Sequence, residues 1–301
     1  MYGSAAPAVL ITLGHVPRPV HGSVGVALVL ALLSTACYAV SAVLQEREAS
    51  RAAVDGALFR QLARRPWWCV AVAAAGTGAL LHIVALAFGP LSLVQPVGVM
   101  TLVLALPLGA RVAGRWVTRR EWLAAGVVTA GLAAVLAVLP HSAHHAHLSP
   151  TELCVSAGAV TALVLALLVL AVTLSRRAAP VLHAAAAATC FGFASGMARV
   201  AATGAAPLAV SVALAIVGAA AGLVLAQLAY RTGGLGAPLA TQILVDPIVA
   251  VTVGIALLRE PVALTPAHVA LGLLGFAATA GGIWGLTHRP ARQPAVVGAP
   301  G

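Results

Sequence analysis

The sequence predicts an all-α membrane protein of about nine transmembrane helices, and three observations carry that prediction. Of 301 residues, 61% are hydrophobic and only 8% are charged, where a soluble globular domain carries roughly a quarter charged residues. Mean hydropathy is +1.03, so the apolar excess runs along the whole chain. The apolar residues also fall into runs of about 20, the length that crosses a bilayer as a helix, separated by gaps marked by Arg, Pro and Gly.

Taken in order, residues 1–21 contain Pro7, Pro17 and Pro19 and lack both a basic start and a sufficient apolar run. They read as a flexible tail, or as residues upstream of the true start, and not as a cleaved signal peptide. Residues 22–287 form one transmembrane domain, with a first half at 22–139 and a second at 151–287. Its spans lie near 22–45, 67–88, 91–110, 121–139, 151–174, 181–202, 207–230, 235–257 and 266–287, and Gly89-Pro90 makes a tight turn between the second and third. Residues 288–301 read as a disordered cytoplasmic tail.

Charge sets the orientation. The chain has 17 basic and 7 acidic residues, and every basic residue is arginine. The connections after spans 1, 3, 5 and 7, together with the C-terminal tail, hold fourteen: Arg47, Arg51, Arg60, Arg64, Arg65, Arg111, Arg115, Arg119, Arg120, Arg176, Arg177, Arg231, Arg289 and Arg292. The opposite side holds Arg18, Arg199 and Arg259. Because cytoplasmic connections collect positive charge, the N-terminus is expected outside and the C-terminus in the cytoplasm, and another span count would scramble the partition. A multi-pass protein of the cell membrane follows, with membrane lipid as a partner and a homodimer as a candidate assembly. Arginines dispersed between apolar runs, not gathered with aromatics on one face, argue against a nucleic-acid partner. Cys37, Cys69, Cys154 and Cys190 stand singly in or beside apolar segments and read as reduced packing residues.

The chain also resembles itself. A shift of 142 residues lays Leu86-Ala87-Phe88 on Leu228-Ala229-Tyr230, Leu93 on Leu235 and Pro96 on Pro238, and brings Pro107 within two residues of the shifted Pro247. Spans 2–4 then match spans 7–9. Partners stand an odd number of spans apart, so the copies face opposite ways across the membrane, as an inverted repeat. Inverted repeats with proline-interrupted helices, here spans 3 and 8 with Pro96, Pro107, Pro238 and Pro247, are a signature of secondary transporters. Proline that merely kinks a helix for packing is the alternative.

Two stretches carry a family resemblance. Phe88-Gly89-Pro90-Leu91-Ser92-Leu93-Val94-Gln95-Pro96-Val97-Gly98 resembles the F-A-P-x-x-L-V-x-P-L-G stretch of NIPA-type magnesium transporters. Asp246-Pro247-Ile248-Val249-Ala250 followed by Leu257-Leu258-Arg259-Glu260 is similar to the P-x-x-x-x-l-x-x-x-x-x-l-g-E pattern of EamA-type proteins. Both families belong to the drug/metabolite transporter superfamily, and nine spans suit its NIPA-like branch. The resemblance covers about residues 22–287 and implies alternating access by two pseudosymmetric halves around a central cavity. Glu260 represents the family glutamate, whereas the first repeat has Arg115-Trp116-Val117-Thr118 where a glycine-glutamate pair would stand.

Among residues able to carry chemistry, Asp246 stands near the middle of span 8. An Asp at the bilayer centre costs about 2.5–3.5 kcal/mol on insertion scales, which points to a proton site, a cation ligand or a structural hydrogen-bond acceptor. Gln242 and Pro238 recur on its face at one-turn intervals. Ser34, Tyr38, Ser41 and Gln45 line one face of span 1, either as a polar path or as interhelical glue. Arg199 can snorkel or pair with substrate or Asp246, and His82 can couple protons or simply pack. Gly192 with Gly196, Gly218 with Gly222 and Gly281 with Gly285 form G-x-x-x-G close-packing pairs. His141, His144, His145 and His147 gather in the connection after span 4, as a weak transition-metal site or a flexible polar loop. No H-E-x-x-H motif or phosphate-binding loop is present, so neither an enzyme nor a cofactor is expected. The resulting readings are a secondary transporter of a small solute of the metabolite or drug efflux type, a NIPA-like magnesium or other divalent-cation transporter passing Asp246, Gln242 and Gln95, and a non-transporting membrane scaffold.

Overall fold

The computed structural model describes residues 23–52, 58–88, 97–98, 100–138, 148–258 and 265–287. Both tails lie outside the described residues, as do Gln95, Pro96, Glu260, His141, His144, His145 and His147. Every regular element among the described residues is an α-helix. In chain order these are α1 (Ser23–Ser50), α2 (Leu58–Ala63), α3 (Pro66–Phe88), α4 (Thr101–Val112), α5 (Arg119–Val138), α6 (Pro150–Thr173), α7 (Ala179–Thr203), α8 (Leu208–Gly233), α9 (Gly236–Leu258) and α10 (Pro266–Thr287).

Seven of them, α1, α3, α6, α7, α8, α9 and α10, are long and apolar enough to cross a membrane. That fits a multi-pass membrane protein. α5 has 20 residues but opens on Arg119, Arg120 and Glu121. α4 has 12, and most of the segment that would complete the third predicted span lies outside the described residues. One predicted boundary needs correction: α1 does not stop near residue 45 but runs 28 residues to Ser50. At about 1.5 Å per residue it rises about 42 Å, beyond the about 30 Å of hydrocarbon. Gln, Glu and Arg are good helix formers, so the helix continues past its apolar run through Gln45, Glu46, Arg47 and Glu48.

In lipid, apolar surface alone does not drive helices together, so close backbone approach and interhelical hydrogen bonds must do it. The sequence supplies both at definite seams. α7 is the hub, packed on α6, α8 and α9, and its run Ala184, Ala186, Ala187 and Ala188 is fully buried. Toward α8, a Cβ on Gly218 would stand 3.1 Å from the Cys190 carbonyl oxygen, and one on Gly222 3.0 Å from that of Ala187. Toward α9, one on Gly196 would stand 2.5 Å from Val253.

α5 meets α10 in the same way, and of the two glycines expected there Gly285 faces it, its added Cβ standing 3.4 Å from Ala124 Cβ, while Gly281 does not. Gly281 has open space around it, whereas a Cβ on Gly131 would stand 2.6 Å from the Gly275 carbonyl oxygen, one on Gly275 2.6 Å from that of Gly131, and one on Gly282 2.9 Å from that of Ala124. The seam uses Gly275 and Gly282, a seven-residue spacing that stays on one helix face. Outward-facing side chains such as Leu80, Ile216 and Leu274 are left exposed. α6, with few buried residues, lies at the periphery. It starts on a capping box, with Ser149 and Glu152 each accepting the other's backbone N–H at 3.2 and 2.8 Å and Pro150 in its first turn.

Candidate functional site

The site is built around α9. Pro238 stands in the first turn of α9 and Pro247 in its interior. A first-turn proline removes a donor that has no helical acceptor anyway. An interior proline leaves the carbonyl four residues back, that of Ile243, without its helical donor and crowds it. Pro107 is likewise interior to α4. Of the described prolines proposed to break helices, Pro107 and Pro247 stand inside helices that continue through them, and Pro238 stands in the first turn of one.

Asp246 directly precedes Pro247 near the middle of the 23-residue α9. Gly192 of α7 faces its backbone, so α7 and α9 touch at this level. The Asp246 side chain is half-buried, and among the described residues no hydrogen bond or ion pair engages it. Tyr38 of α1 lies within electrostatic reach of it. One turn before it, the amide of Gln242 is buried beside the phenol of Tyr230 of α8 and interacts with it. A carboxylate, a phenol and an amide therefore gather beside an interior proline in a largely apolar domain. A lone carboxylate in such a setting is stable with a proton or a cation upon it, and the two donors can orient a polar ligand beside it.

The rest of the α1 stripe is committed to packing. Ser34 donates to the Gly78 carbonyl at 2.7 Å and Ser41 to the Ala71 carbonyl at 2.7 Å, both on α3. The donors rise by seven residues as the acceptors fall by seven, which registers two antiparallel helices. Gln45 donates to Ser41 at 2.8 Å and accepts from Gln227 of α8 at 2.6 Å. Gln227 in turn accepts from the Trp68 indole of α3 at 3.2 Å. This buried chain ties α1, α3 and α8 together. Tyr38 is the stripe residue left over, its ring resting 3.3 Å from where a Gly78 Cβ would stand.

Two further candidates stand on α7 and α3. Arg199 is half-buried on α7 and is not a free cation. His82 is half-buried on α3. Among the described residues no group of three or more His, Cys, Asp or Glu could hold a metal ion.

Several residues emerge only in three dimensions. Gln227, 1% exposed, is the node of the polar chain, and an amide inside an apolar run was the available signal. Glu48, 5% exposed, pairs with Arg65 at 3.1 Å, and only the extension of α1 past residue 45 places it on a helix. Tyr230 had no signal beyond its spacing of three from Gln227.

No family model matches the chain, and no solved structure matches it. Over 125 residues it is 35% identical to an uncharacterized protein of Corynebacterium glutamicum, an alignment covering 39% of this chain and 43% of that protein. The match thus spans less than half the length of that curated relative.

Proposed function

We propose that the chain is a secondary transporter of a small solute, of the drug/metabolite transporter type, in which Asp246 handles the coupling ion or the polar substrate during alternating access. The observation that carries this reading is Asp246 itself: an acid at mid-helix, next to an interior proline, with no partner among the described residues. A structural aspartate would be expected to have recruited hydrogen-bond donors.

The packing order supports the same reading. α1 packs on α3 and α4, as α7 packs on α8 and α9, while α5 and α10 meet each other. Such pairing is what two copies of a four-helix unit would give, and an inverted repeat of nine spans accommodates it with α6 as the connecting helix. The arginine partition then puts the C-terminus in the cytoplasm of a plasma-membrane protein. Alternating access needs an element able to rearrange. α9 has one, because the free carbonyl and crowded ring at Pro247 weaken its hydrogen-bond ladder at the level of the acid.

Flux into proteoliposomes tests the proposal, with a panel that includes Mg²⁺ and amino acids, with and without a proton gradient, for the wild type and Asp246→Asn. Gradient-dependent organic flux that is lost in the variant is expected. Mg²⁺ flux would favour a divalent-cation permease, and a wild type inert to every solute would sink the proposal.

A further inference from the structure

The connection between α4 and α5, taken with the helix turns on either side of it, holds Arg111, Arg115, Arg119, Arg120 and the acid Glu121, in a chain of which only 8% is charged. Such a density of charge does not reside in hydrocarbon, so this connection lies at a membrane–water boundary. It is also a built structure. Gly114 turns the chain at φ 68°, and the Arg115 backbone N–H donates to the Ala110 carbonyl at 2.9 Å. The Arg115 guanidinium grips both Glu121 oxygens, each at 2.9 Å. Glu121 also accepts from the Thr118 backbone N–H at 2.9 Å.

The one acid of the connection is therefore occupied, and Arg111, Arg119 and Arg120 have no acidic partner among the described residues. Arg119 and Arg120 moreover stand in the first turn of α5, where the helix dipole disfavours cations. An open cavity of about 210 Å³ lies here, lined by Pro107, Arg111, Arg115, Trp116 and Trp122 among others. Arg111 lies 5.9 Å from the centre of the Trp116 ring, and that ring is 81% exposed. Trp122 is also exposed, as is Leu123 beside it.

Of the two arginines that line the cleft, Arg115 is held by Glu121 and Arg111 has no acidic partner among the described residues, and a guanidinium so placed attracts phosphate. Exposed tryptophans at the headgroup level favour a ligand that is apolar at one end and wet at the other. A soluble anion would satisfy the first feature only. We propose that this cleft binds the phosphate of an anionic phospholipid from the leaflet it faces, with Arg111 as the principal ligand and Trp116 and Trp122 against the upper part of the lipid. The bound lipid satisfies the surplus charge and fixes the height of the α4–α5 connection in the membrane.

The test uses the full chain in phosphatidylcholine nanodiscs with increasing phosphatidylglycerol, reading bound anionic lipid by native mass spectrometry. Arg111→Gln is expected to weaken retention about fivefold, the factor for one basic residue near an anionic surface. Arg176→Gln, an exposed arginine in the α6–α7 connection, is expected to leave it unchanged. Trp116→Leu, at a ring too exposed to support the fold, is expected to lower retention as well and serves if Arg111→Gln does not fold. Retention by Arg111→Gln equal to wild type would overturn the proposal, as would equal losses in Arg111→Gln and Arg176→Gln. Displacement of the lipid by millimolar inorganic phosphate would also overturn it, by identifying a site for soluble anions.

Discussion

Gly192 of α7 lies against the backbone of Asp246 on α9, so close that a methyl group at Gly192 would stand 2.5 Å from the Asp246 carbonyl oxygen and 2.7 Å from Val249 Cβ. The same α9 segment that carries the unpartnered acid is thus seated on the hub helix through backbone contact. Any change in the tilt of α9 about Pro247 must pass through this contact.

Gly192→Ala should therefore destabilise the protein by about 1–3 kcal/mol, the usual cost of overpacking a tight contact. Gly76→Ala, on α3 with nothing within 4 Å of the added methyl, should stabilise by about 0.5–1 kcal/mol. Thermal unfolding in detergent compares the two, and shifts of the same sign and size would contradict the close contact at Gly192.

Gln227→Leu strands the Trp68 indole N–H and the Gln45 carboxamide oxygen in a buried setting. A loss of about 1–2 kcal/mol is expected from such an interhelical bond in a membrane protein. A double-mutant cycle with Gln45→Ala should show a coupling of about 0.6 kcal/mol or more. Additive losses would mean that the two amides do not act as one chain.

Asp246→Asn removes a charge that no neighbour compensates among the described residues. Stability should stay within about 0.5 kcal/mol of wild type or rise slightly, while flux is lost. A fall of about 3 kcal/mol, as for breaking a buried pair, would assign Asp246 a structural role instead.

Pro247→Ala gives the Ile243 carbonyl its helical donor back and should stabilise α9 by about 1 kcal/mol, at the expense of flux. Pro238→Ala, in the first turn of α9, should alter flux little. Paired stability and transport measurements on the two variants check this, and an active Pro247→Ala protein would show that the break is not used.

The helices were largely legible because each is specified by its own composition: an apolar run of bilayer length bounded by Arg, Pro or Gly. The ends were less so, as α1 shows, since a helix ends where its backbone loses partners and not where its hydropathy falls. Asp246 and Gln242 could be placed on one face by spacing alone. The division of the Ser34, Tyr38, Ser41 and Gln45 stripe could not, because spacing says which side chains share a face and not what the facing helix offers them. Ser34 and Ser41 meet carbonyls of α3, Gln45 meets Gln227 across 182 residues of sequence, and Tyr38 comes within electrostatic reach of Asp246. The glycine seams divide in the same way: Gly192 with Gly196 and Gly218 with Gly222 pack as their motif suggests, whereas α10 keeps Gly285 against Ala124, leaves Gly281 outside the seam, and adds Gly275 and Gly282 because those face Gly131 and Ala124.

By itself the sequence determined the all-helical, membrane-suited character of this protein and the presence of one acid amid an apolar helix, since both follow from hydropathy and local periodicity. Which polar groups are spent on holding helices together and which remain for a ligand was decided by the tertiary structure alone. In an apolar medium every donor and acceptor seeks a partner, and the partner usually sits on a helix remote in the chain. Asp246 matters because, among the described residues, that search left it without one.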